Sequence, residues 1–202
     1  MSRIAEAGRS FVASWPERAA ELLGRRGWAV WEVGYGPGGP DALGYLAEAL
    51  VRVAELWGAG LVVAVADELL WGRRYRPLTA REAAFAKTYV APDVLAKAAI
   101  DEGSRVARVL QIAYVLGTVV KSGGRPSGSL LVHELVHVGQ FRRWGWAYVA
   151  KALWSQHRGA GYAYAVGTLP QNLNAEQAAA YTEDRARRAL GLRPRWKSPG
   201  AV

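Results

Sequence analysis

Three histidines occur in the chain, and two of them bracket a glutamate in the run His133-Glu134-Leu135-Val136-His137. On a helix, positions i and i+4 lie one turn apart on the same face, so both imidazoles can be directed at a single ion. Glu134 is offset from that line. The offset makes it a poor third ligand but leaves its carboxylate close enough to take a proton from a metal-held water. Zinc in such a place lowers the pKa of that water and polarises a carbonyl, which is the chemistry of peptide-bond hydrolysis. The chain has no cysteine, so zinc must be held by histidine, carboxylate and water.

Catalytic zinc takes three protein ligands and keeps one position open. A pattern extended to His-Glu-x-x-His-x-x-Gly-x-x-His would need glycine at 140 and histidine at 143, where the sequence has Gln140 and Arg143. The metzincin arrangement is thereby excluded. His157, Glu176, Glu183 and Asp184 remain as candidate third ligands. Glu176 is favoured because it stands near the start of a helix beyond a turn, in Asn174-Ala175-Glu176-Gln177-Ala178-Ala179. The small alanines let that helix lie close to the histidine helix. Tyr162, Tyr164 and His157, between the two metal-bearing segments, are candidates for stabilising an oxyanion.

The run Leu131-Val-His-Glu-Leu-Val-His-Val-Gly-Gln140, followed by Asn174-Ala-Glu-Gln-Ala178, resembles the zincin-like, gluzincin-type domain of polymorphic toxins and contractile-injection-system effectors. There HELxHxxQ precedes a helix of ExxA type, and Tyr114-Val-Leu-Gly-Thr-Val-Val120 is similar to the strand before that motif. The resemblance runs from Pro77 to Arg188. It implies zinc held by His133, His137 and Glu176, with Glu134 catalytic on a peptide or protein substrate, and an association with secretion or injection machinery. Gly139 stands where many members have tryptophan, and Ala180 where thermolysin-like enzymes place an acid four residues beyond the glutamate ligand.

The surrounding elements must position this chemistry. Leu130, Leu131, Val132, Leu135, Val136 and Val138 point in nearly every direction around a helix axis, which predicts a buried central helix from a Ser129 cap to about Arg143. The Val, Ile and Tyr content of Val109 to Lys121 predicts a strand, and the resemblance to zincins implies that its part from Val115 to Lys121 lies at a sheet edge where an extended peptide can add. Thr79 and Glu82 form a capping box that opens a helix to about Thr88, and a further helix is expected over Asp93 to Ile100. Helices from about Trp146 to Gln156 and from Asn174 to Leu190 complete the domain. Arg73 to Pro77 reads as a basic connector.

Upstream, Ile4 to Trp15, Glu17 to Leu23 and Leu61 to Trp71 are expected to be helical, and Trp28 to Val33 to be β. Asp41 caps a helix in which Leu43, Leu46, Leu50, Val53 and Leu56 recur at helical spacing. The expected fold is therefore a helix-rich α+β zincin-like domain with a small sheet over residues 73–190, a helical region of unknown role over 1–72, and a loose tail over 191–202.

With 26 Lys plus Arg against 17 Asp plus Glu, the net charge is +9. The basic residues are spread along the chain and no nucleic-acid motif accompanies them, so no specific nucleic-acid partner is expected. No stretch is long and apolar enough to span a bilayer, and the N-terminus has no signal-peptide pattern. Cytoplasmic synthesis follows, with export, if any, by a dedicated secretion or injection system. The alternative to a peptidase is a catalytically inactive, zinc-stabilised binding or structural module.

Overall fold

The computed structural model describes residues 35–36, 40–59, 75–165 and 167–196, with the isolated positions 12, 15, 16, 19, 62, 65 and 66. Apart from those isolated positions, the expected helices before residue 24, the strand Trp28 to Val33 and the helical piece Leu61 to Trp71 lie outside the described residues. The elements in order are α1 (Ala42–Leu56), β1 (Tyr75–Pro77), α2 (Ala80–Ala86), α3 (Pro92–Lys97), β2 (Ala99–Asp101), α4 (Arg105–Leu110), β3 (Tyr114–Leu116), β4 (Val119–Lys121), α5 (Gly128–Trp144), α6 (Ala147–His157) and α7 (Ala175–Ala189). A short 3-10 turn, Pro170–Asn172, precedes α7. The fold is α+β, dominated by helix, with a small mixed sheet.

The four strands lie in the order β1-β2-β4-β3. β2 and β4 are the inner pair, parallel with Ile100 opposite Val120, while β1 and β3 run antiparallel at the two edges. α5 packs on this sheet, and Ile100, Val120, Leu131, Val132, Leu135 and Val138 form the centre of the core. Each such side chain contributes about 1.5–3 kcal/mol through removal from water. The other flank of α5 is covered by α7, the most extensive helix pair among the described residues. Ala175, Ala179 and Ala186 of α7 are fully buried, and their small side chains let two polar-bearing helices approach closely.

Three strand assignments differ from the sequence expectation. The basic connector ends in β1, an edge strand that terminates at Pro77, where a missing N–H costs no ladder bond. The helix expected to Ile100 stops at Lys97, because Ala98 turns extended and the chain continues as β2. The apolar stretch from Val109 is not one strand. α4 ends at Gln111 in the left-handed region, and Gly117, at φ 65°, begins a two-residue turn that folds the rest into the β3-β4 hairpin. Of these two strands β3 lies at an edge and β4 is interior.

The helix ends follow local chemistry. The Thr79–Glu82 capping box forms, with Thr79 N–H donating to Glu82 Oε2 at 2.8 Å. α5 is capped two residues earlier than expected: Ser127 Oγ accepts from Leu130 N at 3.3 Å, and Ser129 is buried within the first turn. Its C-terminus needs Gly145, at φ 59°, where a Cβ would stand 2.5 Å from Glu55 Oε1.

α1 forms with Asp41 as its cap, accepting from Gly44 N at 2.8 Å, and its recurring apolar stripe does not face inward. Leu43, Leu46, Leu50 and Val53 are exposed, and Glu48, Arg52 and Glu55 are buried. The cause is Lys151 on α6, itself fully buried, whose ammonium lies 2.9 Å from Glu48 Oε2. Burying that cation without a carboxylate would cost several kcal/mol, so the charged face of α1 that carries Glu48 is drawn inward, with Arg52 held on Glu48 Oε1 at 2.6 Å. The tail is not loose as far as Trp196, because Asp184 accepts the backbone N–H groups of Arg195 and Trp196 at 2.6 and 3.1 Å. No helix among the described residues is long and apolar enough to cross a membrane.

Candidate metal centre

α5 turns His133 and His137 to one side, toward the first turn of α7. Asn174 starts α7 with a capping box to Gln177, which places Glu176 in the first turn facing α5. His133 Nε2 and His137 Nε2 lie 3.2 Å apart, and Glu176 Oε2 lies 3.6 and 3.4 Å from them respectively. Tetrahedral zinc with bonds of about 2.0–2.1 Å requires its donor atoms about 3.3 Å apart. The three separations fall around that value.

The outer nitrogens of both rings meet acceptors. His137 Nδ1 lies 2.7 Å from Gln140 Oε1, and Gln140 Nε2 donates to the Ala175 carbonyl at 2.8 Å. Since the amide nitrogen is occupied as a donor, Oε1 accepts, so Nδ1 of His137 carries the proton. His133 Nδ1 stands 3.2 Å from Glu183 Oε2, within ion-pair reach but off the line of a straight hydrogen bond. With the protons on Nδ1, both Nε2 lone pairs face each other and the buried Glu176 Oε2, which has no hydrogen-bond partner. Three converging lone pairs in a dry site repel one another unless a cation, proton or metal, sits between them. His133, His137 and Glu176 fit a metal ion on this ground.

The charges follow the same logic. Burial pulls His133 down, but Glu176 and Glu183 outweigh it and carry the imidazole up to about 10. Burial likewise disfavours charge on His137, and Glu176 again raises it. Burial pushes Glu176 up, while His137 and His133 bring it down to about 2. Glu134 goes the other way: its burial dominates and raises it, and its Oε2 is buried without a partner.

The remaining candidates separate. Tyr162 lies beside the centre, its ring 5.9 Å from that of His133 and its hydroxyl accepting from Gln156 Nε2 at 2.9 Å. Burial and the two nearby glutamates, Glu176 and Glu134, push it up to about 12. Tyr164 does not share the site: its hydroxyl donates to Asp184 Oδ2 at 2.9 Å, on the face of α7 where the tail docks. His157 is the last residue of α6 and is exposed; its neighbour Gln156 reaches Glu176 Oε1 instead, at 2.9 Å. Glu183 is no third ligand, because it stands behind His133 at Nδ1, two turns along α7 from Glu176. Asp184 is engaged by the tail.

Gln156, Trp196 and Tyr148 carried no sequence signal of their own, whereas Gln140 closes the HELxHxxQ run. Gln140, Gln156 and Trp196 act through partners remote in sequence. Tyr148 places its ring 5.9 Å from that of His137 while donating its hydroxyl proton to the Val115 carbonyl of β3 at 2.6 Å. The i+7 spacing of Glu183 from Glu176 was the one signal available, since it sets both on one face of α7.

Compared with protein-family models, curated protein sequences and solved structures, the chain matches none.

Proposed function

We propose that this protein is a zinc-dependent metallopeptidase acting on a peptide or protein substrate, with His133, His137 and Glu176 as ligands and Glu134 as the proton-transferring group. The observation that carries the reading is the set of three donor atoms 3.2, 3.4 and 3.6 Å apart. When bound, zinc supplies a Lewis acid that polarises a scissile carbonyl and acidifies the attacking water. Glu134 offers a buried carboxylate oxygen with no partner, the acceptor that a departing proton needs. Tyr162 accepts from Gln156 and keeps its own hydroxyl proton available to a developing oxyanion. The link to toxin or injection machinery, and to export by it, is carried by the sequence resemblance.

The test is hydrolysis of unfolded protein and of a mixed peptide pool by the zinc-loaded protein, followed by mass spectrometry. Cleavage by the wild type and its loss in Glu134→Gln, at equal zinc content, support the reading. Cleavage at the wild-type rate by that variant would sink it.

A second reading, a zinc-stabilised module without catalysis, is favoured by one observation: His133, Glu134, His137 and Glu176 are all buried, none more than 6% exposed. It predicts no cleavage by fully loaded wild-type protein, and a Glu134→Gln variant that keeps zinc, fold and biological effect.

A further inference from the structure

On one side of the centre, five side chains and His133 close a circuit of contacts. Glu176 presents Oε2 to the imidazoles and accepts Gln156 Nε2 on Oε1 at 2.9 Å. The same amide nitrogen donates to the Tyr162 hydroxyl at 2.9 Å. The Tyr162 ring stacks on the indole of Trp196, with centroids 4.6 Å apart and planes 24° from parallel. Trp196 Nε1 donates to Glu183 Oε2 at 2.7 Å, and that same oxygen lies 3.2 Å from His133 Nδ1. His133 returns to Glu176 through Nε2.

Trp196 is the member of this circuit that comes from the C-terminal segment. Its place is set by Asp184, fully buried on α7, which accepts the backbone N–H groups of Arg195 and Trp196. The Arg195 guanidinium lies 4.4 Å from the indole ring centre. The segment is thus anchored next to Glu183, and the indole reaches both Glu183 and Tyr162.

We infer that Trp196 is a positioning residue of the metal centre: its indole N–H fixes the Glu183 carboxylate behind His133, and its ring fixes Tyr162. The C-terminal segment thereby sets how tightly the centre holds its ion. The inference rests on the metal reading of His133, His137 and Glu176. A carboxylate behind a ligand histidine fixes ring orientation and raises basicity, and losing such a partner lowers metal affinity about 10- to 100-fold. Trp196 acts one contact further out, so about 3- to 10-fold is expected from its indole N–H. Phenylalanine keeps a stacking ring and removes the N–H, which separates the two functions of the side chain.

The experiment uses the full chain as wild type, Trp196→Phe, Glu183→Gln and the double variant. Zinc affinity is read by competition with a chromophoric chelator, the ligand field by cobalt(II) absorption, and the fold by the metal-free thermal midpoint. Trp196→Phe is expected to weaken zinc about 3- to 10-fold and alter the cobalt spectrum without moving the metal-free midpoint. In the Glu183→Gln background the same change is expected to cost little more, because the two residues act in series. Wild-type affinity and spectrum in Trp196→Phe, or an equal further loss in both backgrounds, would overturn the role of Trp196 while leaving the metal centre standing. Wild-type protein that takes up neither zinc nor cobalt would overturn both.

Discussion

Gln140 donates to the Ala175 carbonyl at 2.8 Å, and this bond ties the helix that carries two imidazoles to the helix that carries the carboxylate. The other end of the same amide accepts from His137 Nδ1. One side chain therefore sets both a ring tautomer and the spacing of α5 and α7 beside Glu176. Gln140→Ala is expected to weaken zinc binding about 10- to 100-fold. Chelator competition checks this, and unchanged affinity would show that Gln140 only fills space.

The fold itself should respond to the ion. A metal that binds the folded chain and not the unfolded one stabilises it by about 4 kcal/mol at a thousand times its dissociation constant. Thermal unfolding of the wild type is expected to shift upward with zinc and return with chelator, whereas His133→Ala should show no shift. An equal shift in that variant would place the ion elsewhere.

The buried pair of Glu48 and Lys151 couples α1 to α6. Glu48→Ala leaves a buried cation without its carboxylate, and a loss of about 3–5 kcal/mol is expected in denaturant unfolding. Glu48→Leu with Lys151→Met should recover the part due to Lys151 but not the part due to buried Arg52, which bonds the same carboxylate at 2.6 Å. A smaller loss for the single change than for the double would contradict this coupling.

Lys151 also gives a pH dependence. Its burial lowers it from 10.5 to about 8, against the pull of Glu48. Between those values the unfolded chain binds more protons than the folded one, so this residue's contribution to stability rises with pH through that window. Wild type measured against Lys151→Met from pH 7.5 to 10.5 should show the difference moving in favour of the wild type. The opposite slope would contradict the assignment.

Gly145 ends α5 at a positive φ, beside the Glu55 carboxylate. Alanine there meets both the backbone penalty and the carboxylate, and about 1–3 kcal/mol of lost stability is expected. Thermal unfolding of Gly145→Ala tests it, with an unchanged midpoint as the contrary result.

The part of the fold that carries His133, His137 and Glu176 was legible because its signals are local. The spacing of His133 and His137, the all-round apolar surface of α5 and the Asn174 start of α7 each act within a few residues, and together they placed Glu176. Signals that depend on remote partners were not legible. The stripe of Leu43, Leu46, Leu50 and Val53 gave the helix of α1 but not its orientation, which Lys151 decides from far along the chain. Gly117 lay within an apolar run rich in β-favouring residues, so the hairpin was read as one strand. Gln156 and Trp196 reach the centre through contacts that no spacing rule announces, which is why the tail was expected to be loose.

The most direct test of the central claim is zinc stoichiometry by equilibrium dialysis and elemental analysis on wild type, His133→Ala, His137→Ala and Glu176→Ala. About one ion per wild-type chain, at an affinity sharply reduced in each variant, is the predicted result for three ligands. No uptake by the wild type, or full affinity in Glu176→Ala, would contradict the centre described.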